Sequence, residues 1–226
     1  KRAADYKNTK PIVFYGSSVT QGGCASRPGN TYPSIISREL DCDFVSFGLA
    51  GSAKGEEGMA RYIASCEMSA FCYDYDYNAD NLEHYKATHE KFFKIIREAH
   101  PDIPIIMTTR PKKHLTDGEL ERVEVMMQTY NNAIAAGDKN VYFIDGESLF
   151  RGPYEDSCTV DGCHPNDLGF LRIAERIKPV LEEMLKNGYS LGSWLVNQRR
   201  LYRLHRLSKD KIDKLESIGI VWNVLK

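Results

Sequence analysis

The sequence predicts a doubly wound α/β domain: a five-stranded, mostly parallel sheet between layers of helix, with a short helical appendage at its C-terminal end. Three observations point there. Five short apolar runs recur between residues 11 and 144, each separated from the next by an amphipathic stretch. A chain of 226 residues with 42% hydrophobic content can bury one sizeable core and carry a small addition. Beyond Gly188 the pattern changes to scattered apolar residues among basic ones.

The elements follow in order. Residues 11–15 form the first apolar run and lead straight into Gly16-Ser17-Ser18. Asn30-Thr31 offers a helix cap, and residues 32–40 follow it with helical spacing. The second strand is read at 44–47, a weaker helix at 55–65 and the third strand at 70–75. Residues 82–99 set Leu82, Tyr85, His89, Phe92, Phe93 and Ile96 at three- and four-residue spacing, the stripe of a core-facing helix. The fourth strand is read at 103–108. Residues 117–136 then repeat the helical stripe with Leu120, Val123, Met127, Tyr130 and Ile134. After a fifth strand at 141–144, residues 166–186 carry Leu168, Leu171, Ile173, Ile177, Val180 and Leu185 on one face. In such a sheet, ligands bind outside the carboxyl ends of the strands. Ser18, Gly51 and Asn78 follow strands one, two and three, so all three fall at that edge.

Charge and composition bound the partners. The net charge of −1 argues against a chain devoted wholly to nucleic acid. From Tyr189 onward there are eight Lys or Arg against three acids, about +5, which leaves about −6 on the remainder. The expected division is a polar linker at 1–10, which would fit a further segment upstream, a main domain at 11–188 and a small helical module at 189–226. No run of 18 apolar residues exists, so no spanning helix is expected. The six cysteines lack zinc-ribbon spacing and read as buried or free thiols in a reducing compartment, hence an expected cytoplasmic location, while their even number leaves disulfides as the alternative.

The chemistry-bearing residues are Gly16-Ser17-Ser18-Val19-Thr20 after the first strand and Asp161-Gly162-Cys163-His164 far downstream. A serine hydroxyl is a weak nucleophile until a base takes its proton. A histidine oriented by a carboxylate is the usual base. The Gly-Ser-Ser turn differs from the nucleophile elbow, which needs glycine two residues after the serine where this chain has Thr20. Gly48, Gly51 and Gly55 lack the Gly-Lys-Ser/Thr end of a phosphate loop, so nucleotide binding is not expected.

These segments resemble the blocks of the SGNH, or GDSL, serine hydrolases. Gly16-Ser17-Ser18-Val19-Thr20 resembles the first block, Gly48-Leu49-Ala50-Gly51 the second, Tyr75-Asp76-Tyr77-Asn78 the third and Asp161-Gly162-Cys163-His164 the last. The resemblance implies a flavodoxin-like three-layer fold, with Ser18 as nucleophile, His164 as base and Asp161 as its orienter. It further implies an oxyanion hole from the N–H groups of Ser18 and Gly51 and the side-chain amide of Asn78. No metal or organic cofactor is needed for that chemistry. The expected substrate is an ester of a small acyl group such as acetyl, on an alcohol or a sugar. A thioester or a lysophospholipid is the alternative substrate.

The chain departs from the family pattern in three places. Ser17 stands where the family has Asp, Ser46 where the second block has Asn, and Ala79 where Asp follows the third-block Asn. Competing readings stay open for Ser17 as the nucleophile, Gly51 as a turn glycine and Asn78 as a cap for the following helix. Tyr73, Tyr75 and Tyr77 read either as a substrate wall or as ordinary packing. Cys158 and Cys163 read as packing, and His84, His89, His100 and His114 as structural or solvated.

Trp194-Leu195-Val196-Asn197-Gln198-Arg199-Arg200 and Leu215-Glu216-Ser217-Ile218-Gly219-Ile220-Val221-Trp222 resemble the helicase-associated repeat. That likeness and the tail's charge would permit phosphate contacts. A non-catalytic protein binding nucleic acid through the tail is therefore the alternative to an enzyme. The plainer reading is a helical appendage held by its two tryptophans.

Overall fold

The protein is described by a computed structural model that covers residues 5–187, 202, 207, 209–217 and 222. Chain contacts divide it into two compact units, Lys1–Glu182 and Glu183–Lys226.

The first unit is built on five parallel strands: β1 (Asn8–Gly16), β2 (Cys42–Gly48), β3 (Ala70–Asp74), β4 (Ile105–Thr108) and β5 (Val141–Ile144). Their order across the sheet is β2-β1-β3-β4-β5. The helices are α1 (Ser18–Gln21), α2 (Tyr32–Leu40), α3 (Glu57–Ala64), α4 (Leu82–Ala99), α5 (Asp117–Ala135), α6 (Gly146–Leu149) and α7 (Asp167–Asn187), which runs on into the second unit. Ile12, Val13, Phe14 and Tyr15 of β1 and every residue of β3 are buried. A strand covered on both faces must be apolar throughout rather than alternating, and β1 is so from Ile12 to Tyr15.

Local chemistry sets the helix starts. The Thr31 hydroxyl accepts the Ser34 N–H at 3.4 Å, and α2 begins at the residue after this cap. Asn81 caps α4 by accepting the His84 N–H at 2.8 Å. Thr116 and Glu119 form a reciprocal capping box at the head of α5. The core between β1, β3 and α4 is aromatic: Tyr15 stacks on Phe92 at 4.7 Å and Tyr73 on His89 at 5.1 Å.

The helical spacing overreached at two positions. Leu120 and Leu171 are exposed, and Leu171 turns away from the face that Phe170, Ile173, Ala174 and Ile177 bury. Tyr73 and Tyr75 are core residues packed among Phe92, Tyr85 and His89, which decides against their forming a substrate wall. His89 is fully buried, and burial depresses its pKa to about 3.

In the second unit, α8 (Lys209–Ser217) carries a buried Leu215. Tyr202 and Trp222 stack face to face with centroids 4.2 Å apart, and the Trp222 indole N–H donates to Glu216 at 2.8 Å. Gly188, the Trp194–Arg200 signature, Leu204, Ser208 and the Gly219–Val221 segment lie outside the described residues.

Candidate active site

The sheet order sends the chain from β1 to one side for β2 and to the other for β3, so a crevice opens at the carboxyl ends of β1 and β3. Ser17 and Ser18 enter that crevice. Ser17 is fully buried, and its hydroxyl accepts the Val19 N–H at 3.2 Å to cap α1. Ser18, the first residue of α1, is only partly buried. Its Oγ lies 2.9 Å from His164 Nε2. The cap thus occupies one hydroxyl and leaves the other available.

The histidine comes from a loop that fixes itself. Asp161 Oδ1 accepts the backbone N–H groups of Cys163 at 2.9 Å and His164 at 2.7 Å. Val160 N–H donates to the His164 carbonyl at 2.9 Å, and Gly162 takes the left-handed conformation (φ 82°) that the tight turn requires. Asp161 Oδ2 lies 2.7 Å from His164 Nδ1. A carboxylate only accepts, so Nδ1 carries the proton of the neutral ring. Nε2 is then the acceptor for the Ser18 hydroxyl. Hydrogen bonds from the His164 ring and the loop N–H groups hold the Asp161 carboxyl down at about 2, although its side chain is nearly half exposed.

Gly51 and Asn78 sit on the loops after β2 and β3, the two strands that flank β1. Gly51 is exposed in a left-handed turn (φ 71°). Its loop is tied to α1, since Ala50 N–H donates to Gln21 Oε1 at 3.2 Å. Gly48 is required for that approach, because a Cβ there would lie 2.3 Å from the Gln21 backbone. Asn78 N–H donates to the Tyr75 carbonyl at 3.0 Å, while its Oδ1 is buried with no hydrogen-bond partner. The cap of α4 is Asn81, so Asn78 does not serve there.

Residues outside the four assigned roles hold the loop that bears Asn78. Arg110 binds both oxygens of Asp76, at 2.7 and 2.8 Å, and reaches Glu119 at 2.7 Å. Arg122 donates to the Asp76 carbonyl at 2.8 Å and the Ala79 carbonyl at 3.1 Å. Two arginines therefore clamp the loop that bears Asn78. Tyr77 lies under the Arg110 guanidinium at 4.5 Å. Burial raises the thiol pKa of half-buried Cys163, which disfavours a thiolate beside His164. Asp74 lies beneath the Ser17–Ser18 turn. A charged residue inside a doubly covered strand is itself a signal, since burial without partners costs heavily. Among the described residues, no cluster of three or more His, Cys, Asp or Glu side chains could hold a metal ion.

Comparison with known proteins agrees with this arrangement. The family model of the GDSL-like lipase/acylhydrolases matches residues 9–182, and the chain belongs to that family of ester hydrolases. Its sheet and flanking helices are those of the SGNH hydrolase fold. A protein of Bacteroides ovatus assigned as a GDSL-like lipase shares 34% identity, with a TM-score of 0.72 over 82% of this chain and 56% of its own. A family two carbohydrate esterase of Clostridium thermocellum, solved with cellohexaose, shares 16% identity, with a TM-score of 0.63 over 84% of this chain and 67% of its own. A two-domain esterase active on acetylated mannans shares 20%, with a TM-score of 0.60 over 81% of this chain and 51% of its own. The last two likenesses concern the fold alone, and this chain spans little more than half of the Bacteroides protein. The helicase associated domain matches residues 177–223. No curated protein matches the chain.

Proposed function

We propose that the chain is a serine esterase that removes a small acyl group from an alcohol or a sugar. The observation that carries the reading is the relay from Ser18 Oγ through the His164 ring to Asp161, with gaps of 2.9 and 2.7 Å. Ser18 Oγ attacks the acyl carbon and its proton passes to His164 Nε2. Asp161 fixes the ring and stabilises the imidazolium. The Ser18 and Gly51 N–H groups and the Asn78 amide receive the charge on the carbonyl oxygen. The tetrahedral adduct then collapses, and the leaving alkoxide takes the proton from Nε2. Water attacks the acyl-enzyme by the same route and frees the acid.

The choice of a short acyl group on a polar alcohol draws support from the carbohydrate esterases that share the fold. We assign residues 11–188 to the hydrolase and 189–226 to an added helical module. Six free cysteines support a reducing compartment such as the cytoplasm. The test is hydrolysis of p-nitrophenyl esters from acetate to octanoate by the wild type, Ser18→Ala and Ser17→Ala. Activity lost only in Ser18→Ala with a short-chain optimum supports the reading. A folded wild type inert toward the series and toward acetylated sugars overturns it.

A further inference from the structure

The floor of the nucleophile turn is a carboxyl group. Asp74, the last residue of β3, pairs in register with Gly16 across the sheet. Its Oδ1 accepts the Ser17 N–H at 3.2 Å and the Thr20 hydroxyl at 2.8 Å. Thr20 Oγ1 is also 2.9 Å from the Tyr32 hydroxyl. A Cβ at Gly16 would lie 1.8 Å from Asp74 Oδ1, so that glycine makes room for the carboxyl. Both donors bracket Ser18 in sequence. The carboxyl therefore holds the residue before the nucleophile and the one two places after it.

We propose that Asp74 is a positioning residue, which in its ionised form draws Ser17 and Thr20 down and aims Ser18 Oγ at His164. The proposal rests on the esterase reading of the site. A charged acceptor makes roughly twice as strong a bond as a neutral one, so the turn is tightest when Asp74 is a carboxylate. Burial works against that state and pushes the carboxyl up to about 7, with the Ser17 and Thr20 donors acting in the opposite direction. The groups that face it are Tyr32 from α2, Cys72 from its own strand and Asp76 from the following loop. Tyr32 and Cys72 are held neutral by burial, and Asp76 is paired with Arg110 and Arg122.

The sign follows. The folded carboxyl keeps its proton up to about 7, against an ordinary 3.8, so the fold binds more protons than the unfolded chain between those values. Stability contributed at Asp74 therefore falls as pH rises through that window. Activity moves the other way. A group kept only for stability would not behave so.

The experiment measures kcat and KM against pH for wild type, Asp74→Asn, Asp74→Ala and Thr20→Val, with urea unfolding of each at pH 5 and 8. The rate at which Ser18 reacts with a fluorophosphonate serves as a second readout. Expected losses in kcat are roughly 100-fold for Asp74→Ala and tenfold for Asp74→Asn and Thr20→Val, with little change in KM. The part of the acid limb that Asp74 contributes in the wild type is lost in Asp74→Asn, which also gains stability at pH 8. Should Asp74→Ala not fold, Asp74→Asn and Thr20→Val decide. An Asp74→Asn enzyme with kcat within about twofold of wild type and the same acid limb overturns the proposal alone. A wild type that reacts with neither ester nor phosphonate overturns the esterase reading and the proposal together.

Discussion

Ser26 and Asp167, 141 residues apart, bind each other twice: the Asp167 carboxylate accepts the Ser26 N–H at 2.9 Å and also its hydroxyl. Asn30 adds a third bond to the same carboxylate at 2.8 Å. Ser26 lies on the segment that follows Ser18, and Asp167 opens α7 just after His164. The pair thus ties the segment after Ser18 to the one after His164. Asp167→Ala is expected to lower kcat/KM roughly tenfold while far-ultraviolet circular dichroism is unchanged, because small misplacements of reacting groups cost one to two decades. Steady-state kinetics on a p-nitrophenyl ester decides it.

Asp161 has its carboxyl at about 2, below the ordinary 3.8. A depressed acid contributes fully above its unfolded value and loses that contribution only as pH falls toward the folded one. Asp161 therefore stays ionised across the working range, and the acid limb of activity is expected to carry the ionisation of Asp74 and none from Asp161. Asp161→Asn should cut kcat on the order of 10²–10⁴-fold by losing the tautomer control, with the rate still rising with pH. A pH–rate profile of that variant provides the check.

The Asn78 amide is the third oxyanion donor of the proposed site. Asn78→Ala is expected to lower kcat about 10²–10³-fold with KM little changed, since the interaction forms in the transition state. A loss carried wholly by KM would assign Asn78 to substrate binding instead.

Asp76 is buried, and Arg110 reaches both of its oxygens. Removing Asp76 leaves Arg110 with Glu119 as its remaining carboxylate partner at 2.7 Å, so Asp76→Ala is expected to cost about 1–3 kcal/mol in urea unfolding. Because Arg122 still grips the Ala79 carbonyl, some order in the Asn78 loop should persist. Paired measurement of stability and kcat separates the two effects.

Much of the fold was legible because its signals are local. The Thr31 cap and the Tyr32 start of α2 lie in adjacent residues, and α4 is bounded as its apolar spacing predicts. Strand ends were less legible: β1 begins at Asn8, because pairing with β2 continues past the apolar run into polar residues. The approach of Ser18, His164 and Asp161 could be read from sequence only through the family's blocks. Asp74, Arg110 and Arg122 belong to no motif, Asp76 lies in the third block without a role assigned there, and their partners lie dozens of residues away. The available clue was alternation: Asp74-Tyr75-Asp76-Tyr77 places two acids at the end of a buried strand, where each needs a partner. Which of the two serine hydroxyls faces His164 also needed the structure: that of Ser17 caps α1, and that of Ser18 lies 2.9 Å from His164 Nε2.

Ser18 and His164 stand 146 residues apart, and the hydrogen bond between them spans most of the first unit. During synthesis Ser18 leaves the ribosome long before His164, its proposed base, exists. A nascent chain halted anywhere in that interval carries a hydroxyl with nothing to activate it, and so does a fragment clipped between the two. On the proposed mechanism, completion of the unit is therefore built into its reactivity: the cell meets the proposed nucleophile armed only after β5 and the Asp161 turn have been made.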